Sequence, residues 1–292
     1  GTFSMNRSVV VNVSIIEPNL NNLTYMWNNT NFTLYDSSIM LMMNFNNFTD
    51  LGETDKKIKD LSLYGNNGTS SIGTLVNISG KYLSAFQSNG SGYNEINTSK
   101  TVNLTTTKLT MSVWVNYIDT GVNQVFIGKA AAVGSHTSPY FAYSLHGLYI
   151  NATDLNPRIY ITTNVNSYFI YSTRNITRNN WYHIVGTYDG SSIKLFINGI
   201  RTGNVSAIGN LTPYSTPLML GRNGGTSENF KGRMDDVIIY NRTLSQNEIT
   251  ELYMSSLQKF NSSQWYLYVN QSLNVTTGLA NGTYNYQISY TN

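Results

Sequence analysis

WYHIVGTYDGSSIKLFING, from Trp181 to Gly199, reads as two strands folded about a tight turn. Trp181 to Tyr188 and Ile193 to Asn198 supply the arms, and Asp189-Gly190 supplies a backbone that tolerates positive φ. Asn198-Gly199 then closes a second tight turn. Further on, FKGRMDDVIIYNRTLSQNEITELY runs from Phe230 to Tyr253 and changes period part-way. Arg233 to Tyr240 is a strand, which Gly232 lets approach its neighbour closely. Ser245-Gln246-Asn247-Glu248 is a capping box, with Leu244 placed to staple onto Ile249. Ile249, Leu252 and Tyr253 follow on one helical face, so a short helix closes the segment.

Outside these stretches the pattern is period two. Val9, Val11, Val13 and Ile15 alternate with Val10, Asn12 and Ser14. Val113 and Val115 flank Trp114, and Tyr284, Tyr286, Ile288 and Tyr290 alternate with Asn285, Gln287 and Ser289. Such alternation marks half-buried strands. The 22 Tyr and 32 Thr suit a pleated surface. Turn signals at Asp189-Gly190, Asn198-Gly199, Asn223-Gly224-Gly225 and Asn281-Gly282 separate short strands, which predicts an all-β antiparallel sandwich with one helix.

The two quoted stretches together resemble the laminin-G-like branch of the concanavalin A-like jelly rolls. That family shows a Trp-His strand, a Tyr-Asp-Gly turn and a strand ending in Asn-Gly. A later Phe-x-Gly strand carries Asp-Asp and leads through Tyr-Asn-Arg-x-Leu-Ser into the terminal helix. Ser38 to Phe45 matches the opening strand, Asp60-Leu61-Ser62 and Gly65 to Gly68 the turns after it, and Leu109 to Tyr117 the strand around Trp114. The resemblance implies a jelly-roll sandwich over residues 34–256, with the helix plugging one end.

Relatives on this fold include glycoside hydrolases, which need two carboxylates about 5 Å apart in the retaining case. This chain has six Glu (Glu17, Glu53, Glu95, Glu228, Glu248, Glu251), and no strand carries the glucanase Glu-x-Asp-x-x-Glu pattern. The one close pair, Glu248 and Glu251, is assigned a structural role on the helix. His136, His146 and His183 lack metal spacing, and His183 is expected as a core hydrogen bonder. No nucleophile elbow or phosphate loop is present. The expectation is a protein without catalytic chemistry. The resemblance further implies a Ca²⁺ site at a sandwich edge, with Asp60, Asn66 and Asp235 as oxygen donors and Asp236 as a substitute. It also makes sugar binding natural, by stacking on aromatics such as Tyr140, Phe141, Tyr143, Tyr149, Tyr168 and Tyr171.

Twenty Asn-X-Ser/Thr triplets carry the rest. They begin at Asn6, Asn12, Asn22, Asn28, Asn31, Asn47, Asn67, Asn77, Asn89, Asn97, Asn103, Asn151, Asn175, Asn204, Asn210, Asn241, Asn261, Asn270, Asn274 and Asn281. Scattering 40 Asn against 63 Ser and Thr by chance gives about nine, so the excess predicts covalent N-glycans on an extracellular or cell-surface protein. Charged residues are 11% and net charge is +3, which leaves no basic stripe for nucleic acid. No apolar run reaches membrane-spanning length. The start, Gly1-Thr2-Phe3-Ser4, lacks the regions of a signal peptide, so the sequence reads as a mature form or an excerpt. Cysteine is absent; with this sequon load, that points to an archaeal surface protein rather than a disulfide-bearing animal module.

Residues 1–33 and 257–292 fall outside the resemblance. They read as four strands, at Ser8 to Glu17, Leu23 to Tyr35, Gln264 to Asn270 and Thr283 to Tyr290, forming a partial immunoglobulin-like sandwich. Incomplete sandwiches expose edges that invite strand addition. Head to tail, such addition builds a filament. The leading expectation is thus a glycosylated structural subunit of a surface filament or lattice that pairs with itself, with Thr2 to Glu17 donated to a neighbour. The alternative is a carbohydrate-binding or adhesion module of a larger surface protein, with surface glycans as its partner. The triplet-free stretch between Asn103 and Asn151 is expected to leave a contact face that includes Trp114, Phe126, Tyr140 and Tyr143.

Overall fold

The computed structural model describes residues 7–70, 74–91, 94–96, 107–118, 121–130, 141–151, 153–214, 216–222 and 228–292. The hairpin that opens the sequence reading is present as Tyr182–Tyr188 and Ser192–Ile197. Asp189 caps its turn, its carboxylate accepting from the Ser191 and Ser192 amides and from the Lys194 ammonium at 2.8 Å. Asn198 and Gly199 both take positive φ in the next turn, and the following strand, Ile200–Ser206, pairs back on Ser192–Ile197.

This meander forms one end of an eight-stranded sheet. Tyr182–Tyr188 pairs with Leu109–Tyr117, which pairs with Lys231–Tyr240. Both Ile39–Met43 and Ser84–Asn89 pair with that last strand, one at each end. Gly232 is where the approach is tightest. Its φ is +148°, and a Cβ there would stand 2.3 Å from the Asn116 carbonyl oxygen.

A second sheet of nine strands lies opposite, with Asp154–Thr162, Phe141–Asn151 and Gln124–Ala130 as consecutive neighbours in it. Side chains at alternate positions fill the space between the sheets. Met111, Val113 and Val115 meet Phe126, Leu145, Ile159 and Ile161 there, with Phe230, Met234 and Val237 closing one end. Phe126 and Tyr143, expected on a contact face, are buried in this core. Both lie on the face of their strands turned toward the first sheet. Tyr140 lies outside the described residues.

The helix Gln246–Met254 forms where the capping box predicts. Ser245 Oγ accepts from the Glu248 amide, and Glu248 Oε2 accepts from the Ser245 amide at 2.8 Å. Arg242 adds an ion pair to Glu248 at 2.6 Å. The chain passes directly from this helix into the strand Ser255–Lys259.

The flanking segments make six strands rather than four. Val9–Ile16, Gln264–Gln271 and Ser255–Lys259 form one three-stranded sheet; Tyr286–Thr291, Asn22–Trp27 and Thr30–Tyr35 form another. The expected single strand from Leu23 to Tyr35 is a hairpin, because Asn28 and Asn29 both adopt positive φ. Two adjacent Asn tolerate the left-handed region better than other non-glycine residues. Val9–Ile16, expected to be donated to a neighbour, pairs within its own chain, from Val9 opposite Gln271 to Ile16 opposite Gln264. Val11, Ile15, Leu23, Tyr25, Trp265 and Leu267 pack between these sheets. Val185, Phe196, Ile238 and Tyr240, from the outer face of the eight-stranded sheet, belong to the same cluster. The flanks therefore share a core with the jelly roll.

Candidate functional site

The family strand around Trp114 alternates strictly. Met111, Val113, Val115 and Tyr117 face the jelly-roll core, which turns Ser112 and Trp114 to the outer face. Across the sheet Trp114 stands opposite His183 on one side and Asp235 on the other. The sheet is irregular here. Ser112 pairs with Ile238 while Trp114 pairs with Asp235, so two residues, Asp236 and Val237, oppose Val113 alone. Asp236 takes φ +43° at this bulge. A bulge re-aims side chains, and both carboxylates are consequently buried.

Each acid has its own partners. Asp235 Oδ2 accepts from the Tyr82 amide at 2.9 Å and Oδ1 from the Asp236 amide. Asp236 accepts from Asn44, Ser256 and Gln258, bonds that tie the jelly roll to the first flanking strand after the helix. Burial pushes the Asp235 carboxyl well above the usual carboxylate range, and the neighbouring Asp236 charge adds to it. His183 donates or accepts at Ser112 Oγ, 2.8 Å away, as a core hydrogen bonder. Burial and then the Lys81 charge lower it to about 3, so its ring is neutral.

Above this polar floor the outer face opens into a cleft of about 510 Å³. Tyr253 of the helix stacks on Trp114 with ring centroids 5.4 Å apart. Tyr82 meets Trp114 edge-on at 6.2 Å and leans toward Tyr268 of the Gln264–Gln271 strand at 5.7 Å. The Lys81 ammonium sits 4.3 Å from the Trp114 ring centroid. Burial lowers the Lys81 amine, and the Asp235 charge offsets part of that. Trp114 is only 3% exposed, so the open ring surface belongs to the half-buried Tyr82, Tyr253 and Tyr268. Asn270, Ser272, Asn274, Thr276 and Thr277 line the opposite wall. Flat apolar faces beside a rim of amides and hydroxyls suit a ring that carries both C–H faces and equatorial hydroxyls.

A smaller aromatic patch lies on the outer face of the second sheet. Phe169, 49% exposed, meets Tyr171 at 5.5 Å, and the Arg158 guanidinium stands 5.4 Å from the Tyr171 ring. Of the other aromatics suggested by sequence, Tyr143 is core and Tyr168 packs on the core edge. The side chains of Phe141 and Tyr149 lie outside the described residues.

The suggested Ca²⁺ donors are engaged in two separate hydrogen-bond networks. Asp60 and Asn66 share one turn: Asp60 accepts from the Met42, Ser62 and Asn66 amides, and Asn66 Nδ2 donates to the Met40 carbonyl. Asp235 belongs instead to the Tyr82 network, with Asp236 beside it. Among the described residues no group of three or more His, Cys, Asp or Glu is placed to hold a metal. The Asp60 turn is held by the protein's own amides, which occupy the lone pairs a cation would need.

The model of the concanavalin A-like lectin/glucanases superfamily matches residues 88–250, more than half of the chain. The chain belongs to that superfamily. No curated protein sequence matches it. Among solved structures, this superfamily member is similar to domain 4 of AbnA, a GH43 extracellular arabinanase from Geobacillus stearothermophilus, in complex with arabinotriose. Identity is 19% and TM-score 0.54, covering 73% of this chain and 97% of that one. It is also similar to the binding domain of Paraclostridial Mosquitocidal Protein 1, at 18% identity and TM-score 0.57, covering 77% and 55% respectively. A third is a structure of botulinum neurotoxin type C, whose cell entry is described as dependent on interaction with two ganglioside molecules. There identity is 16%, TM-score 0.51 and coverage 74% and 50%. The chain thus spans about half the length of the two toxin chains. At these identities the likeness is one of fold, a concanavalin A-like sandwich. No helix among the described residues is long and apolar enough to cross a membrane.

Sequence reasoning missed Lys81, Tyr82 and Tyr268 as neighbours. Tyr266 and Tyr268 alternate with Trp265, Leu267 and Val269, a pattern that gives Tyr268 an outward face. Nothing local brings Tyr82 to it. None of the triplet asparagines whose side chains are described is buried. Asn270 and Asn274 stand exposed on the cleft wall itself.

Proposed function

We propose that this chain is a non-catalytic carbohydrate-binding module of an extracellular glycoprotein, with the sugar held in the Tyr82–Tyr253–Tyr268 cleft. The observation that carries the reading is the placement of three half-buried tyrosine rings around a concave, hydroxyl- and amide-walled space. The domain of AbnA seen with arabinotriose and the neurotoxin described with gangliosides support it at the level of fold. The twenty triplets support N-glycans and an extracellular address. The reading invokes no calcium: backbone amides hold the Asp235 carboxylate of the cleft floor, and the Lys81 ammonium lies over the Trp114 ring.

Titration calorimetry against neutral oligosaccharides chosen by a glycan array, with and without EDTA, tests the reading. Tyr82→Ala and Tyr268→Ala should each weaken binding about 3- to 10-fold, the worth of one aromatic contact, and EDTA should change nothing. Absence of binding across the array would refute it. Loss on Phe169→Ala and Tyr171→Ala, with the cleft variants unaffected, would move the site to the second sheet.

The filament reading has less to stand on. Its donor strand is paired within the chain. Two outer strands, Val9–Ile16 and Tyr286–Thr291, still end their sheets and expose Val9, Val10, Ile16, Tyr286 and Tyr290. Electron microscopy of native material separates the two readings: polymers that survive deletion of residues 1–17 would rule out donation of that strand.

A further inference from the structure

We propose that a second cleft, walled by the helix Gln246–Met254 and the Asn28 hairpin, takes the primary ammonium group of an amino sugar. Its space is about 660 Å³. Trp27 and Tyr284 lie at its lip, stacked at 5.4 Å and 9°. Glu251 and Gln271 line it from the helix and from the Gln264–Gln271 strand. Tyr25 lies behind Trp27, with ring centroids 6.5 Å apart.

Four oxygens here lack a hydrogen bond: both carboxylate oxygens of Glu251, Gln271 Oε1 and the Tyr25 hydroxyl. All three residues are buried, Glu251 to 1% exposure. They belong together electrostatically. The Gln271 side-chain amide is the one donor acting on Glu251, short of a hydrogen bond of ordinary geometry, and the Glu251 charge acts on Tyr25. Arg201, the basic side chain on the rim, makes no ion pair with Glu251.

Buried acceptors without donors are costly, and a carboxylate most of all. A partner that brings several donors satisfies them, and a positive charge on it compensates the carboxylate once Glu251 ionises. A divalent metal fits poorly, since Ca²⁺ takes six or more oxygens and one carboxylate, one amide and one phenol do not supply them. An ammonium brings three N–H donors, which match the Glu251 oxygens and Gln271 Oε1. The flat Trp27–Tyr284 pair beside it gives a pyranose ring a stacking surface. This inference rests on the sugar-binding reading but uses an adjoining cleft, which shares Met254, Asn274, Val275 and Thr276 with the first, and a charged group.

The test is calorimetry with a glucosamine trimer and with its fully N-acetylated counterpart, which keeps the rings and loses the charge. The trimer should bind at least about tenfold more tightly, the worth of a hydrogen-bonded charge. Glu251→Gln, of nearly the same shape, should erase that difference; Trp27→Ala should weaken the trimer while the protein stays folded by circular dichroism. Tyr268→Ala, in the first cleft, should leave the preference for the amine intact. Equal binding of the two trimers, or a preference that survives Glu251→Gln, would overturn the inference. Nα-acetyl-lysine amide binding as well as the trimer would overturn the sugar assignment. If neutral oligosaccharides bind through Tyr82 and Tyr268 while the amine trimer shows no preference, the second cleft fails and the first stands.

Discussion

Replacing Glu251 by Gln should stabilise the ligand-free protein in a pH-dependent way. Burial raises the Glu251 carboxyl from 4.5 to about 7, and the Gln271 amide offsets part of the effect. In the unfolded chain the group ionises near 4.5. Between that pH and 7 the folded protein holds a proton that the unfolded chain has lost. Stability therefore falls across this window as pH rises, and above 7 the buried charge costs about 3 kcal/mol. Glutamine carries no such charge. Its own fit adds a constant, so the informative quantity is the change with pH of the difference between variant and wild type. Glu53, Asp60, Asp235 and Asp236 are also pushed upward by burial, but they are common to both proteins and cancel. Urea unfolding at pH 4.5, 6, 7 and 8.5 measures it. The stability difference should shift in favour of the variant by about 3 kcal/mol between the first and last values. A difference that stays flat with pH would mean that Glu251 is solvated or paired, and the second cleft would lose its orphan acceptors.

Three further outcomes follow from named contacts. Asp189→Asn should cost about 1–3 kcal/mol at neutral pH by removing charged hydrogen bonds to Lys194, Ser191 and Ser192. Burial works to raise this carboxyl, but those partners outweigh it and hold it well below the usual range. The penalty should then vanish in acid unfolding curves as pH drops below the unfolded value of 3.8 and then below the folded one. Gly232→Ala drives a Cβ to 2.3 Å from the Asn116 carbonyl at φ +148°; thermal unfolding should show a loss of about 2 to 4 kcal/mol. Protein carrying glycans at Asn270 and Asn274, confirmed by intact mass, should bind external oligosaccharide more weakly than N270Q/N274Q; equal affinities would place those sugars away from the first cleft.

What was legible in the sequence is what short-range chemistry decides. Asp189-Gly190 closes its hairpin and Ser245 with Glu248 caps its helix within four residues, so both could be read without a partner. The two-residue period around Trp114 fixed which face each side chain takes. The same period was carried too far at Leu23 to Tyr35, where apolar residues stop at Trp27 and resume at Phe32 in the opposite register, and Asn28-Asn29 between them takes the turn. Glu248 and Glu251 show the limit on one helix. Glu248 has the expected structural task at the cap. Glu251, three residues on, is covered by flanking strands distant in sequence, and nothing within the helix says that this face will be buried. Tyr82 reaches Tyr268 across a separation of 186 in sequence, a meeting that local periodicity cannot report.

Where the two clefts lie bears on how this chain differs from its superfamily. The matched segment, residues 88–250, builds the sandwich and contributes Trp114, His183 and Asp235 to one floor. It also lines the second cleft with Arg201 and Gln246, but the rings and the acid assigned to recognition come from residues around it: Tyr82 before it, Glu251 and Tyr253 just after it, and Trp27, Tyr268 and Tyr284 from the flanks. Loops and added segments tolerate change because they carry little of the core. Here the flanks do carry core, through Val185, Phe196, Ile238 and Tyr240. They therefore cannot drift freely over the sheet, and side chains they bring to its outer face are held at fixed distances from Trp114. A rigid seam of this kind can position rings for binding at little entropic cost. Removing the flanks should consequently abolish both clefts and expose a large apolar face. Truncation to the matched segment is thus a test of folding rather than of ligand recognition, and recognition must be tested by single substitutions in the intact chain.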